Sequence, residues 1–121
     1  MKNIILTANG TQKADLVLKN ASIVNVFTES IEVGDVAITD GKIVGIGRYE
    51  GKIEKDMTGR FVCPGFIDGH IHLESSMVTP SEFARAVIAH GTTAVITDPH
   101  EIANVAGCDG ITYMMQATKD L

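Results

Sequence analysis

His70 and His72 stand two residues apart in Pro64-Gly-Phe-Ile-Asp-Gly-His-Ile-His-Leu-Glu-Ser-Ser-Met77, with Asp68 before them and Glu74 behind. Imidazole and carboxylate groups are common ligands of divalent transition-metal ions. Phe66 to His72 reads as a strand. Side chains alternate along a strand, so Phe66, Asp68, His70 and His72 share one side, and Ile67, Ile71 and Leu73 take the other. Two imidazoles about 7 Å apart along a strand can converge on one small ion. The plainer alternative is a half-exposed polar face with no ligand. A divalent ion at His70 and His72 would lower the pKa of water toward neutrality and supply hydroxide, while a carboxylate shuttled protons. That chemistry suits hydrolytic attack at an electrophilic carbon.

The elements that must position these groups follow in order. Pro64-Gly65 marks the entry to the strand. Thr79-Pro80-Ser81-Glu82 predicts a helix start, with Thr79 as cap, Pro80 at the first helical position and Glu82 closing a capping box. The helix is expected over Pro80–His90, with Phe83, Ala86, Val87 and His90 on one face and Gly91 as a left-handed cap. His90, at the end of that helix, reads as a dipole partner. Thr92–Thr97 predicts a buried strand. Strand, helix, strand at this spacing is a right-handed crossover, hence a parallel pair. Asp98-Pro99-His100-Glu101 then falls at the same rim as His72 and Glu74, and His100 is expected within about 10 Å of His72. A further helix is expected from Asp109 or Gly110 to Lys119, with Ile111, Met114, Met115 and Thr118 inward. Titratable residues at strand C-termini that feed helices are what a (β/α) barrel places at its active-site rim.

The preceding half is patterned differently. Residues 1 to about 13 form a flexible or helical lead-in, and short strands follow at Asp15–Lys19, Ser22–Val26, Ile31–Val33 and Asp35–Thr39. Asp40-Gly41 between apolar runs predicts a type I′ hairpin, with Ile38 opposite Ile43 and Ala37 opposite Val44. Apolar groups on both faces imply a sheet covered on both sides. An irregular strand is expected near Lys52–Met57. Residues 1–63 therefore read as an all-β unit and residues 64–121 as α/β.

Bulk properties bound the function. The chain has 121 residues, 45% of them apolar, which suits an ordered globular domain. A net charge of −5, no basic run and 5% aromatic content argue against a nucleic-acid partner. Ile4-Ile5-Leu6 is too short for a signal core or a membrane span. Cys63 and Cys108 form neither a disulfide framework nor a Cys-x-x-Cys metal site, so the cytoplasm is the expected setting.

Gly65-Phe-Ile-Asp-Gly-His-Ile-His72 resembles the first barrel strand of the amidohydrolase superfamily, whose His-x-His pair binds a catalytic metal. The continuation, HLESSMVTPSEFARAVIAHGTTAVITDPHEIANVAG, is similar to bacterial adenine deaminases, and the resemblance runs from about Ala14 to the end. It implies a small β-sandwich portion over 1–63, completed by strands from the far C-terminus, followed by the first two βα units of a (β/α)8 barrel. An independent small β-barrel is the alternative for the first part. The resemblance also implies metal ligation by His70 and His72, with manganese or iron as the ion and zinc as the other candidate. Asp68 would orient an imidazole, and Glu74, Ser75, Ser76, His100 and Glu101 would line the pocket. The reaction implied is hydrolytic deamination of adenine to hypoxanthine. The other ligands and a proton-handling aspartate come from later strands, so no catalytic residue is assigned within the chain. A closed barrel needs eight such units and about 250 residues. The chain alone is therefore expected to be inactive, and to self-associate or dock onto the remainder. A dihydroorotase-like or hydantoinase-like activity on a cyclic amide, or a non-catalytic split-gene product, are the competing readings.

Overall fold

A computed structural model describes all residues, 1–121. The chain divides into two compact units, Met1–Pro64 and Gly65–Leu121.

The first unit holds a helix, α1 (Lys2–Ala8), and five strands: β1 (Ala14–Asn25), β2 (Ser30–Thr39), β3 (Lys42–Gly47), β4 (Gly51–Asp56) and β5 (Phe61–Val62). They form one mixed sheet in the order β3-β2-β1-β4, with β5 following β4 along the same edge of β1. β1 runs antiparallel to β2 and parallel to β4 and β5. Four short strands expected before Asp40 are in fact two long ones. The break read at Asn20-Ala21 is a bulge between Leu18 and Ala21, where Asn20 adopts a φ of 57°. One extra residue reverses side-chain parity. Val17 therefore packs with Ala14 and Ala37 on one face, while Ala21 and Ile23 join Val36 on the other. Helix α1 covers the first of these faces, where buried Thr39 donates to Thr7 at 3.1 Å. Cover is incomplete, contrary to expectation: Ile31, Val33, Ile43, Ile53 and Phe61 are all exposed.

Asp40 and Gly41 both have positive φ, 53° and 69°, as a type I′ turn requires. Ile38 faces Ile43 as expected, but Ala37 faces Gly45, not Val44. Val44 is the extra residue of a second bulge and packs with Tyr49 against Val17 and Ala37. Gly45 is required there because the Tyr49 ring occupies the space a Cβ would take.

The second unit is β6 (Phe66–Ile71), a 3₁₀ turn (Leu73–Ser76), α2 (Pro80–Ile88), β7 (Thr92–Thr97) and α3 (His100–Ala117). β6 and β7 are parallel, as the strand-helix-strand spacing implies. Mixed α/β is the class, and two paired strands do not close a barrel. The details differ from expectation in four places. Thr79 makes no side-chain cap bond and no capping box forms; its hydroxyl pairs with Ser81 instead. The inner face of α2 is Phe83, Ala84 and Val87, while Ala86 and His90 are exposed. β7 is not buried on both sides, since Ile96 is 62% exposed. Helix α3 begins nine residues before Asp109, breaks at Gly107 (φ 60°, ψ −145°), and turns Met114 inward while Met115 and Thr118 face out. No helix is long and apolar enough to cross a membrane.

Candidate metal centre

The site lies where β6 and β7 end side by side. The Asp98 N–H donates to the Ile71 carbonyl at 3.0 Å, extending the ladder one step past the last paired residues. This brings the Asp98 carbonyl to the His72 ring, whose Nδ1 lies 2.8 Å from it. A carbonyl only accepts, so Nδ1 must carry the proton. The neutral ring then presents a bare lone pair at Nε2.

A second ring nitrogen faces it. His70 Nε2 is 3.2 Å from His72 Nε2, with the rings edge-to-face at 84°. Ligand atoms about 2.0–2.1 Å from one tetrahedral ion lie about 3.3 Å apart. Both imidazoles thus have the separation that a shared ion needs. A carboxylate oxygen of Asp98 completes a group whose ligand atoms lie within 4.8 Å of one another. Two imidazoles and a carboxylate fit a divalent transition ion by chemistry as well as by spacing.

His100 extends the cluster. Its ring centroid is 4.6 Å from that of His72. Nδ1 is 3.0 Å from Asp98 Oδ2, leaving Nε2 free. That contact raises the His100 pKa above the ordinary value, burial opposing it and the Asp98, Glu101 and Glu74 charges adding to it. The same contact holds the Asp98 carboxyl below its usual range. His72, His100 and Glu101 make a second group with ligand atoms within 4.8 Å.

The remaining residues singled out by sequence fall in three places. Glu74 accepts the Glu101 and Ile102 N–H groups through Oε1, at 3.0 and 3.2 Å. Burial pushes its carboxyl up, but those amides, its own N–H and the nearby His72 outweigh that and hold it below the ordinary range. The Ser75 hydroxyl donates to the Glu101 carboxylate. Asp68 and Ser76 do not join the cluster. The Asp68 carboxylate accepts the His70 backbone N–H at 3.1 Å and orients no imidazole. The Ser76 hydroxyl is turned back onto the Leu73 carbonyl at 2.6 Å, closing the 3₁₀ turn. Asp98 was not among the residues expected to line the site. Its signal was position, as the first residue after β7, next to the end of the His-x-His strand.

The sequence pattern of the Amidohydrolase family matches residues 61–121, half of the chain. The chain belongs to the amidohydrolase family. The adenine deaminase of Geobacillus kaustophilus is 60% identical to this amidohydrolase over 119 residues, 98% of the chain and 21% of the relative. That of Clostridium acetobutylicum is 60% identical over 114 residues, 94% of the chain and 20% of the relative. The chain thus spans about a fifth of the length of these relatives. Among solved structures, an N-acyl-D-glutamate deacylase from Bordetella bronchiseptica, complexed with zinc and a phosphonate inhibitor, is similar at a TM-score of 0.60 and 27% identity. That match covers 71% of the present chain and 19% of the deacylase.

Proposed function

We propose that this chain is the N-terminal part of an adenine deaminase, in which His70 and His72 hold a divalent ion at the rim of a (β/α)8 barrel. Residues 1–63 would belong to a β-sandwich. Residues 64–121 would supply the first two βα units of that barrel. One observation carries the metal reading: the two Nε2 atoms converge to 3.2 Å while the His72 Nδ1 proton is spent on the Asp98 carbonyl. The substrate reading is supported by identity near 60% to adenine deaminases along almost the whole chain.

When bound, the ion would act as a Lewis acid that brings the pKa of water toward neutrality. The chain's own groups then divide the work. His70 and His72 fix the ion's place through Nε2. Asp98 holds both His72, through its carbonyl, and His100, through its carboxylate. His100 keeps its proton on Nδ1 against Asp98, so its Nε2 is the ring atom left to take or give one. The donor set suits manganese or iron as well as zinc. Later strands of the longer protein would add the other ligands and the aspartate that moves the proton to the leaving ammonia. Two exposed free cysteines favour a reducing compartment, the cytoplasm.

The test uses the longer protein with His70 and His72 both changed to Ala. Bound metal should fall to background by elemental analysis. Adenine turnover should fall by about 10³-fold or more, since loss of a Lewis acid costs several kcal/mol. Unchanged metal content would remove the site assignment. A wild-type protein that hydrolyses dihydroorotate or hydantoin and leaves adenine intact would replace the substrate while keeping the metal.

A further inference from the structure

We infer that Glu74 is a positioning residue that caps α3 from the opposite rim segment and so holds His100 and Glu101 against His72. The inference rests on the metal-site reading above and is independent of the substrate. Helix α3 has no local cap: the residue before it is Pro99, which offers no side-chain acceptor and makes no cap bond. The first amides of a helix lack partners within it. Glu74 fills that role from 27 residues upstream, where Oε1 accepts both Glu101 N–H and Ile102 N–H. A carboxylate is well suited, because helix N-termini favour negative charge.

Glu74 Oε2 is buried and has no partner. The carboxylate is held there by the turn that carries it. Leu73 is buried at 3% exposure, and the Ser76 hydroxyl ties back to the Leu73 carbonyl. The adjacent Ser75 hydroxyl adds a contact to the Glu101 side chain. Three hydrogen bonds thus join the turn after His72 to the first turn of α3. Their effect is to place His100 and Glu101 where their ligand atoms lie within 4.8 Å of that of His72.

Glu74→Ala and Glu74→Gln variants of the longer protein test this by amide hydrogen exchange and by the visible spectrum of bound cobalt(II). Glu74→Ala should speed exchange at Glu101, Ile102 and Ala103 by about tenfold or more, with β6 and β7 amides unchanged. Its cobalt spectrum should shift at full occupancy, because the geometry around His72 relaxes. Gln retains one carbonyl oxygen at the capping position, so Glu74→Gln should keep exchange within about threefold of wild type. Wild-type protection of α3 in Glu74→Ala would overturn the inference, and so would Gln behaving as Ala, or β6 and α3 loosening together in both variants. A wild-type protein that takes up cobalt but turns over no adenine would refute the substrate and leave this pattern standing. One that takes up no cobalt would refute the metal centre, and the inference with it.

Discussion

Asp35 is a carboxylate at 5% exposure that accepts three hydrogen bonds, from Lys19 Nζ at 2.6 Å and from the Asn20 and Tyr49 amides at 3.1 Å each. Burial pushes its carboxyl up, but these three donors outweigh that and hold it below the ordinary range. The Lys19 ammonium is correspondingly raised by the same bond. The two shifts set opposite ends of a pH window. A lowered carboxylate contributes stability above its unfolded pKa of about 3.9, and the contribution is lost as pH falls through the folded value. A raised ammonium contributes below its unfolded pKa of about 10.4 and loses it as pH rises through the folded value. Asp35→Asn should therefore destabilise by about 3 kcal/mol near neutrality, because it leaves Lys19 partly buried and unpaired. The gap to wild type should stay flat from about pH 5 to 9 and narrow toward pH 3. Denaturant titrations of both proteins across pH will show it; a gap that widens in acid would refute the assignment. At this scale the His-x-His pair was legible because strand period is two. The tautomer of His72 was not, because a backbone carbonyl 26 residues away sets it.

Among the elements, the hairpin and α2 make a contrast. Asp40-Gly41 announces its turn in two letters because few residues tolerate positive φ at both positions. Gly41→Ala should cost about 1–2 kcal/mol, the penalty of a left-handed conformation for a residue with a Cβ. The sequence around Thr79 carries an equally clear signal, yet no cap bond forms. Thr79→Ala should thus cost under about 0.5 kcal/mol, against the roughly 1 kcal/mol of a working cap. Thermal melts of the two variants decide both points, and a Thr79→Ala loss as large as that of Gly41→Ala would contradict the geometry. Helix α3 shows why local reading fell short. The helix was expected from Asp109 or Gly110, whereas the chain is already helical from His100. Its start is capped by Glu74, which lies outside any window centred on the helix.

For the whole molecule the decisive feature is uncovered apolar surface. Phe66, Ile67 and Ile96 on the paired strands β6 and β7 are 60%, 67% and 62% exposed, and each strand has one neighbour only. Such edges and faces promote association in water. Purified as 121 residues, the chain should run larger than its 12.9 kDa by light scattering and should not convert adenine to hypoxanthine after metal loading. Two histidines and Asp98 reach the three ligands that a catalytic zinc site can use, but the aspartate proposed to move the proton would come from later strands. Robust turnover by a monomer would contradict both the barrel assignment and the need for further strands.

From its sequence alone this protein determined what short-range chemistry can determine. Strand period placed His70 and His72 on one face. Glycine at positive φ placed the hairpin, and the strand-helix-strand spacing dictated a parallel pair ending at a common rim. Tertiary structure decided whatever depends on a partner distant in the chain. Bulges at Asn20 and Val44 reversed side-chain parity and shifted register, which no alternation pattern announces. Packing chose Ala84 over Ala86 for the inner face of α2. Competition for hydrogen-bond partners turned Asp68 and Ser76 onto local backbone and brought Asp98 to the imidazoles. The physical reason is common to all three. A side chain's type limits which bonds it can make, but which bond it makes is settled by the groups that folding brings within about 3 Å.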